Sequence, residues 1–218
     1  MPLTLAEASI VIELTSTTSR LLQLDEVWTA TAALGRPSED YVDQGEWIGQ
    51  VEALVDEMRG LLTEVGSHSG ILASVAEAHA DEAEETLNGL LWGDLLSPED
   101  RSTLRWWSGR HGGFPAMATT SASVLADVDE ELAALGRQLE LLRSGEAATG
   151  DLTKKFRCGA AQQLLVGGVL LVPGVAGGGV ALGLAAGVAA GAMVASTGGL
   201  GALVLIGGAL WWAKRHHC

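Results

Sequence analysis

The chain has 218 residues, a formal charge of −14 and a positive mean hydropathy of +0.27. One evenly mixed globular domain rarely combines these, so polar and apolar residues must be segregated. Residues 1–150 carry all but one of the 27 acidic side chains and a formal charge of −18; residues 151–218 keep only Asp151 and carry +4.

An acidic domain without a Lys/Arg cluster cannot neutralise phosphates, so nucleic acid is excluded as an expected partner. The same charge should repel anionic lipid. Cys158 and Cys218 are too few and too far apart in sequence to read as a disulfide framework. The opening MPLTLAEASIVIEL lacks a basic stretch and meets Glu7 and Glu13 early, so no cleaved secretory signal is expected.

The first predicted helix starts at Thr4, which forms a capping-box pattern with Glu7, and it places Ile10, Leu14, Leu21, Leu24 and Trp28 on one stripe. Gly35 and Pro37 stop it. A second helix carries Val51, Leu54, Val55, Met58, Leu61, Leu62 and Val65 and is expected to end at Gly66. Ser69 would then cap a third, with Ile71, Leu72, Val75, Leu87, Leu90 and Leu91 inward. Ser97-Pro98-Glu99-Asp100 begins a fourth, having Pro in the first turn and acids at the positive dipole end. SGRHGGFP, residues 108–115, reads as a loop. Beyond it Leu125, Val128, Leu132, Leu135, Leu139 and Leu142 alternate steps of three and four, a coiled-coil-like seam. That seam is either part of an intramolecular core or a surface for a protein partner. Several amphipathic helices in sequence imply a bundle, because each stripe must be buried against another.

From Cys158 to Ala213 no residue is charged. A helical crossing of a bilayer takes roughly 20 apolar residues, so the stretch 164–213 suits two. The expected fold class is therefore all-α: an acidic soluble helical bundle (1–150), a basic juxtamembrane linker (151–163), a Gly/Ala-rich transmembrane helical hairpin (164–213) and a basic tail (214–218). Lys154, Lys155 and Arg157 precede the apolar run and Lys214 and Arg215 follow it, which under the positive-inside rule places both flanks in the cytosol. Trp211 and Trp212 beside Lys214 read as an interfacial anchor. Gly179, Gly183, Gly187, Gly191 and Gly199, with Ala195 in register, form a ridge of small residues every fourth position. Such a ridge lets helix backbones approach closely in lipid, so self-association into a homo-oligomer is expected. A symmetric hairpin would turn near 185–190 and divide the ridge; keeping it whole moves the turns to Pro173-Gly174 and Ser196-Thr197-Gly198.

A helical domain joined to GGVLLVPGVAGGGVALGLAAG (167–187) and the ridge to Gly199 resembles colicin-type and apolipoprotein L-type pore-forming domains, and the ridge is similar to glycine-zipper membrane proteins. The resemblance covers the last quarter of the chain and implies membrane insertion and permeabilisation; in colicins the hairpin is buried inside the helical bundle. Trp47-Ile48-Gly49 looks like the WxG turn of type VII secretion substrates, some with membrane-active tails, although Pro37 and the early helix break depart from that family's helical hairpin.

No pattern for catalysis or a cofactor emerges. His79 lies near Glu77, Asp81 and Glu82 without HExxH or ExxH spacing, and reads as part of a solvated helix face. No GK[ST] follows the glycines, and no histidine adjoins a central thiol. His216-His217-Cys218 is at most a soft-metal tail, while Cys158 and Cys218 are candidates for acylation at the membrane face. The expected function is that of an integral membrane protein whose glycine-ridge hairpin associates and permeabilises the bilayer under control of the acidic domain. The alternatives are a membrane-anchored adaptor and a secreted membrane-active effector.

Overall fold

The computed structural model describes residues 3–37, 44–146, 153–176 and 190–218, the side chains of 172–176 and 190–200 excepted. Among the described residues there are eight helices and no strand, so the chain is all-α. They are α1 (Leu5–Leu34), α2 (Gln44–Ala78), α3 (Ala80–Trp92), α4 (Pro98–His111), α5 (Phe114–Ala126), α6 (Val128–Ser144), α7 (Lys154–Ala176) and α8 (Ala190–His216).

Local signals account for several of the helix ends. The Thr4 hydroxyl accepts from the Glu7 amide while the Glu7 carboxylate accepts from the Thr4 amide, completing the capping box of α1, and Gly35 ends that helix. Ser97 caps α4 by accepting from the Asp100 amide. Gly112 and Gly113, at φ of 74° and 107°, make a tight corner that glycine alone adopts freely, so the expected loop shrinks to two residues between α4 and α5.

Tertiary packing overrides one predicted break. α2 continues through Gly66 and Ser69 to Ala78, because Gly66 marks a close approach and not a stop: a Cβ there would collide with Cγ2 of Val128. A mid-helix glycine costs about 1 kcal/mol relative to alanine, a cost offset where it admits a neighbouring chain. Trp47-Ile48-Gly49 lies inside the start of α2 and is helical, so it makes no turn between helices.

The seam of 125–142 is interrupted at Asp127, where α5 ends and α6 begins. Leu125, Leu135, Leu139 and Leu142 are buried, Val128 and Leu132 pack against the same core, and α5 and α6 both lie on α2. The expected partner seam is therefore consumed inside the bundle.

At the centre lies α7, packed against α1 and α5, touching α2 and α3, with α8 along it. The segment expected as a juxtamembrane linker, 151–163, is helical from Lys154 and buried at Phe156, Ala160 and Ala161. The two helices run antiparallel: Cys158 meets Cys218, and Gly168 lies against Ala202 and Ile206. Pro173-Gly174 and Ser196-Gly198 are helical, which removes the turns needed to keep the glycine ridge in one piece. Gly179, Gly183 and Gly187 lie outside the described residues; Gly191 and Gly199 lie on α8. Among the described residues, no helix is long and apolar enough to cross a membrane.

Candidate functional site

The apolar pair α7–α8 and the polar groups that hold its ends form the candidate site. From Ala160 to Leu171 every residue of α7 is buried. Side-chain-free positions bring the neighbours close. A Cβ on Gly167 would run into Oγ1 of Thr15 on α1; one on Gly168 would come within 2.8 Å of Cγ1 of Ile206 and 3.0 Å of the Ala202 carbonyl oxygen on α8; one on Gly159 would come within 2.9 Å of Cγ1 of Val124 on α5. Gly159, Gly167 and Gly168 thus set the helix spacing in the described part of the pair.

Two polar residues interrupt the buried run, and the side-chain nitrogen of each is partnered, whereas the buried Oε1 of Gln163 is not. Gln162 lies 2.8 Å from Nε2 of His111, and Gln163 donates to the Ser121 hydroxyl at 3.3 Å. Burial of the imidazole, and secondarily the nearby Arg110 charge, lower the His111 pKa, which favours the uncharged ring.

The basic flanks meet carboxylates of the acidic helices. Arg157 donates to both oxygens of Asp25, at 2.8 and 3.3 Å, and to the Thr29 hydroxyl at 3.1 Å; the Asp25 side chain is wholly buried and that of Arg157 is 11% exposed. Burial of that pair requires partnered geometry, because removing one member leaves an uncompensated charge. At the start of α7, Thr153 donates its amide and its hydroxyl to Glu131 of α6, at 3.2 and 2.5 Å, and its hydroxyl oxygen accepts from the Phe156 amide. Lys155 is exposed and lies 3.8 Å from Asp127; Lys154 is exposed.

The far end of α8 is held in the same manner. Lys214 meets Asp100 at 2.5 Å and Glu99 at 3.3 Å, joining α8 to the first turn of α4. The Asp100 pKa is lowered, first by the hydrogen bond from Lys214 and then by that from Ser97, and the Lys214 pKa is raised by the same contact, so the two shifts agree. Arg215 lies 3.0 Å from Glu26 of α1 as an ion pair without aligned hydrogen-bond geometry.

Trp211 and Trp212 have different fates. Trp211 stays 51% exposed under the Arg215 guanidinium, whereas Trp212 is 2% exposed in the core with its ring centroid 4.2 Å from that of His216. Trp212 is therefore no interfacial anchor in this state.

Cys158 and Cys218 form a disulfide, with Cα atoms 5.4 Å apart. Sixty residues of sequence separate them, yet the antiparallel pairing brings them together; in the bond they offer no thiol for acylation or for a metal. His79 is also misplaced by the expectation of a solvated face: its side chain is 11% exposed, between Glu7 at 3.8 Å and Glu82 at 3.4 Å.

Sequence reasoning missed Asp25 and Glu131. Both carried a signal, since Asp25 follows Leu21 by four and precedes Trp28 by three, and Glu131 stands likewise between Val128 and Leu135. An acid on an apolar stripe implies a cation or donor from another element.

No protein-family model, no curated protein and no solved structure matches the chain.

Proposed function

We propose that this is a membrane-active helical protein that carries its hydrophobic helical pair sheathed in an acidic bundle and transfers that pair into a bilayer, where the glycine-rich segment associates and permeabilises it. The observation that carries this reading is the complete burial of 160–171 at the head of an uncharged run that continues to Ala213.

Burying Leu164, Leu165, Val166, Val169, Leu170 and Leu171 withdraws them from water at roughly 1.5–3 kcal/mol each. Lipid tails are as apolar as a protein core, so this term is nearly equal in the sheathed and inserted states. The balance then falls to the polar contacts at the two ends. The contacts made by Asp25, Glu131, Asp100, Glu99 and Glu26 favour the sheathed state. Protonating Asp100, whose pKa is lowered by the hydrogen bonds from Lys214 and Ser97, weakens its hold on Lys214, and acid also lowers the acidic repulsion from anionic lipid. Acid is thus a release signal. Two crossings would leave both flanks on the side of entry, with Arg157, Lys214 and Arg215 at the headgroups.

The Cys158–Cys218 bond favours a protein exported to an oxidising milieu over one kept in a reducing cytosol, the secreted-effector form of the reading. With the 125–142 seam buried, nothing favours the adaptor alternative. Dye-loaded vesicles test the proposal. Oxidised protein should release little dye at pH 7 and much more as the pH falls below about 4, where carboxylates become protonated. Gly183→Leu with Gly187→Leu should reduce both release and detergent-resistant oligomers. A flat pH response with no release would refute the reading.

A further inference from the structure

Seven tryptophans are an unusual number for a chain with two phenylalanines and one tyrosine, and three of them are exposed. Trp92 at the end of α3 is 77% exposed, Trp106 on α4 is 53% exposed, and Trp211 on α8 is 51% exposed. Each lies beneath a guanidinium 5.2 Å from its ring centroid: Arg105 over Trp92, Arg110 over Trp106, Arg215 over Trp211. α4 connects the first two pairs, for Arg105 reaches back to α3 while Trp106 and Arg110 line a groove with Ala213, Lys214, His217 and Cys218. The face therefore lies at the disulfide-closed end of the α7–α8 pair.

The charges on this face are unequal in kind. Arg101 lies 3.7 Å from Asp94, Lys214 pairs with Asp100 and Glu99, and Arg215 with Glu26. Among the described residues no carboxylate pairs with Arg105 or Arg110, although the chain as a whole carries −14. Two guanidinium groups left for an external anion, stacked on exposed indoles with Leu95 (67% exposed) between α3 and α4, combine cationic and amphipathic groups on one surface. An indole prefers the headgroup layer, where its ring is buried and its N–H stays wet, and arginine accompanies it with its stem in the apolar layer.

We propose that the α3–α4 end of the bundle, through Trp92, Arg105, Trp106 and Arg110, is a docking face for the headgroup layer of an anionic bilayer. The carboxylates of the bundle, those of α3 and of the first turn of α4 included, are repelled by the same surface, so the molecule is oriented with the Arg105 and Arg110 patch leading. The inference rests on the proposed membrane function and adds a first contact: docking precedes insertion and does not require the α7–α8 pair to leave the bundle.

The test uses full-length oxidised protein at pH 7 and vesicles of phosphatidylcholine with or without phosphatidylglycerol, read by co-flotation and by the blue shift of tryptophan emission. A basic residue near an anionic surface is worth about fivefold in partitioning. Wild type should favour the anionic vesicles by at least tenfold, less so as salt rises. Arg105→Glu with Arg110→Glu should lose at least tenfold of that partitioning with an unchanged melting temperature. Arg105→Lys with Arg110→Lys should retain most of it, and Trp92→Ala with Trp106→Ala should lose the blue shift. Equal binding by wild type and the charge-reversed variant overturns the proposal, as does indifference of the wild type to anionic lipid. The two readings fail separately: binding without dye release at any pH supports docking and sinks permeabilisation, whereas release that ignores the charge reversal sinks docking alone.

Discussion

Replacing Cys218 by serine removes the bond that closes the α7–α8 pair, and the cost follows from the loop it closes. In the chain-entropy account, a cross-link between cysteines 60 positions apart restricts the unfolded chain by about 4 kcal/mol. For a domain of this size each kcal/mol corresponds to roughly 2–4 °C in melting temperature, so the variant should melt roughly 8–16 °C below the oxidised wild type. Thermal unfolding followed by far-ultraviolet circular dichroism measures this, and wild type treated with a thiol-free reductant should fall to the same curve. Cys158→Ser should behave identically, since either substitution opens the same loop. Thiol counting by mass spectrometry provides the independent check. A melting temperature within about 2 °C of wild type, or two free thiols in protein purified without reductant, would refute the antiparallel closure of the pair.

The Asp25–Arg157 pair gives a second test. Asp25→Ala strands a largely buried guanidinium and should cost about 3–5 kcal/mol, while Asp25→Leu with Arg157→Met should recover most of that loss; a double variant as unstable as the single one would contradict the pairing. Gly168→Val would press on Ile206 and the Ala202 carbonyl, so overpacking should destabilise by about 1–3 kcal/mol in urea unfolding. In pH-dependent melting, His111 and Asp100 should act in different windows. The His111 pKa is lowered by burial, so the unfolded chain takes up the proton first and stability declines as pH falls below about 6.5, levelling off below the folded value. Asp100, lowered by Lys214 and Ser97, contributes stability present above about 3.8 and lost as pH falls through its folded value. His111→Gln should flatten the first decline and keep the second.

Much of the helical plan was legible locally. Thr4 with Glu7, Gly35, and Ser97 with Pro98 announce helix ends through contacts within one turn, and the Val51–Val65 stripe announces an inward face by its period. Gly66 misled because the backbone cost of a glycine can be read from sequence, whereas the Val128 methyl that makes use of the gap comes from more than sixty positions away. The 125–142 leucines were correctly seen as apolar, but the period of a stripe carries no statement about whether α2 or another chain covers it. Asp25 and Glu131 stand on apolar stripes, which signals a cation or donor from elsewhere, but the period of the stripe does not say that Arg157 and Thr153 supply it.

The all-α class, the segregation of charge from apolar bulk, and the pair of basic flanks around an uncharged run follow from the amino-acid sequence alone, because they depend on composition and on periods within single helices. It took the packing of distant segments to bring the run into the bundle centre through α7, to pair Arg157, Lys214 and Arg215 with Asp25, Glu26, Glu99 and Asp100, and to join Cys158 to Cys218. Each of those depends on which distant surfaces meet. An apolar side chain is about equally satisfied by lipid or by protein, so hydropathy alone does not distinguish a helix that crosses a bilayer from one sheathed by its own chain.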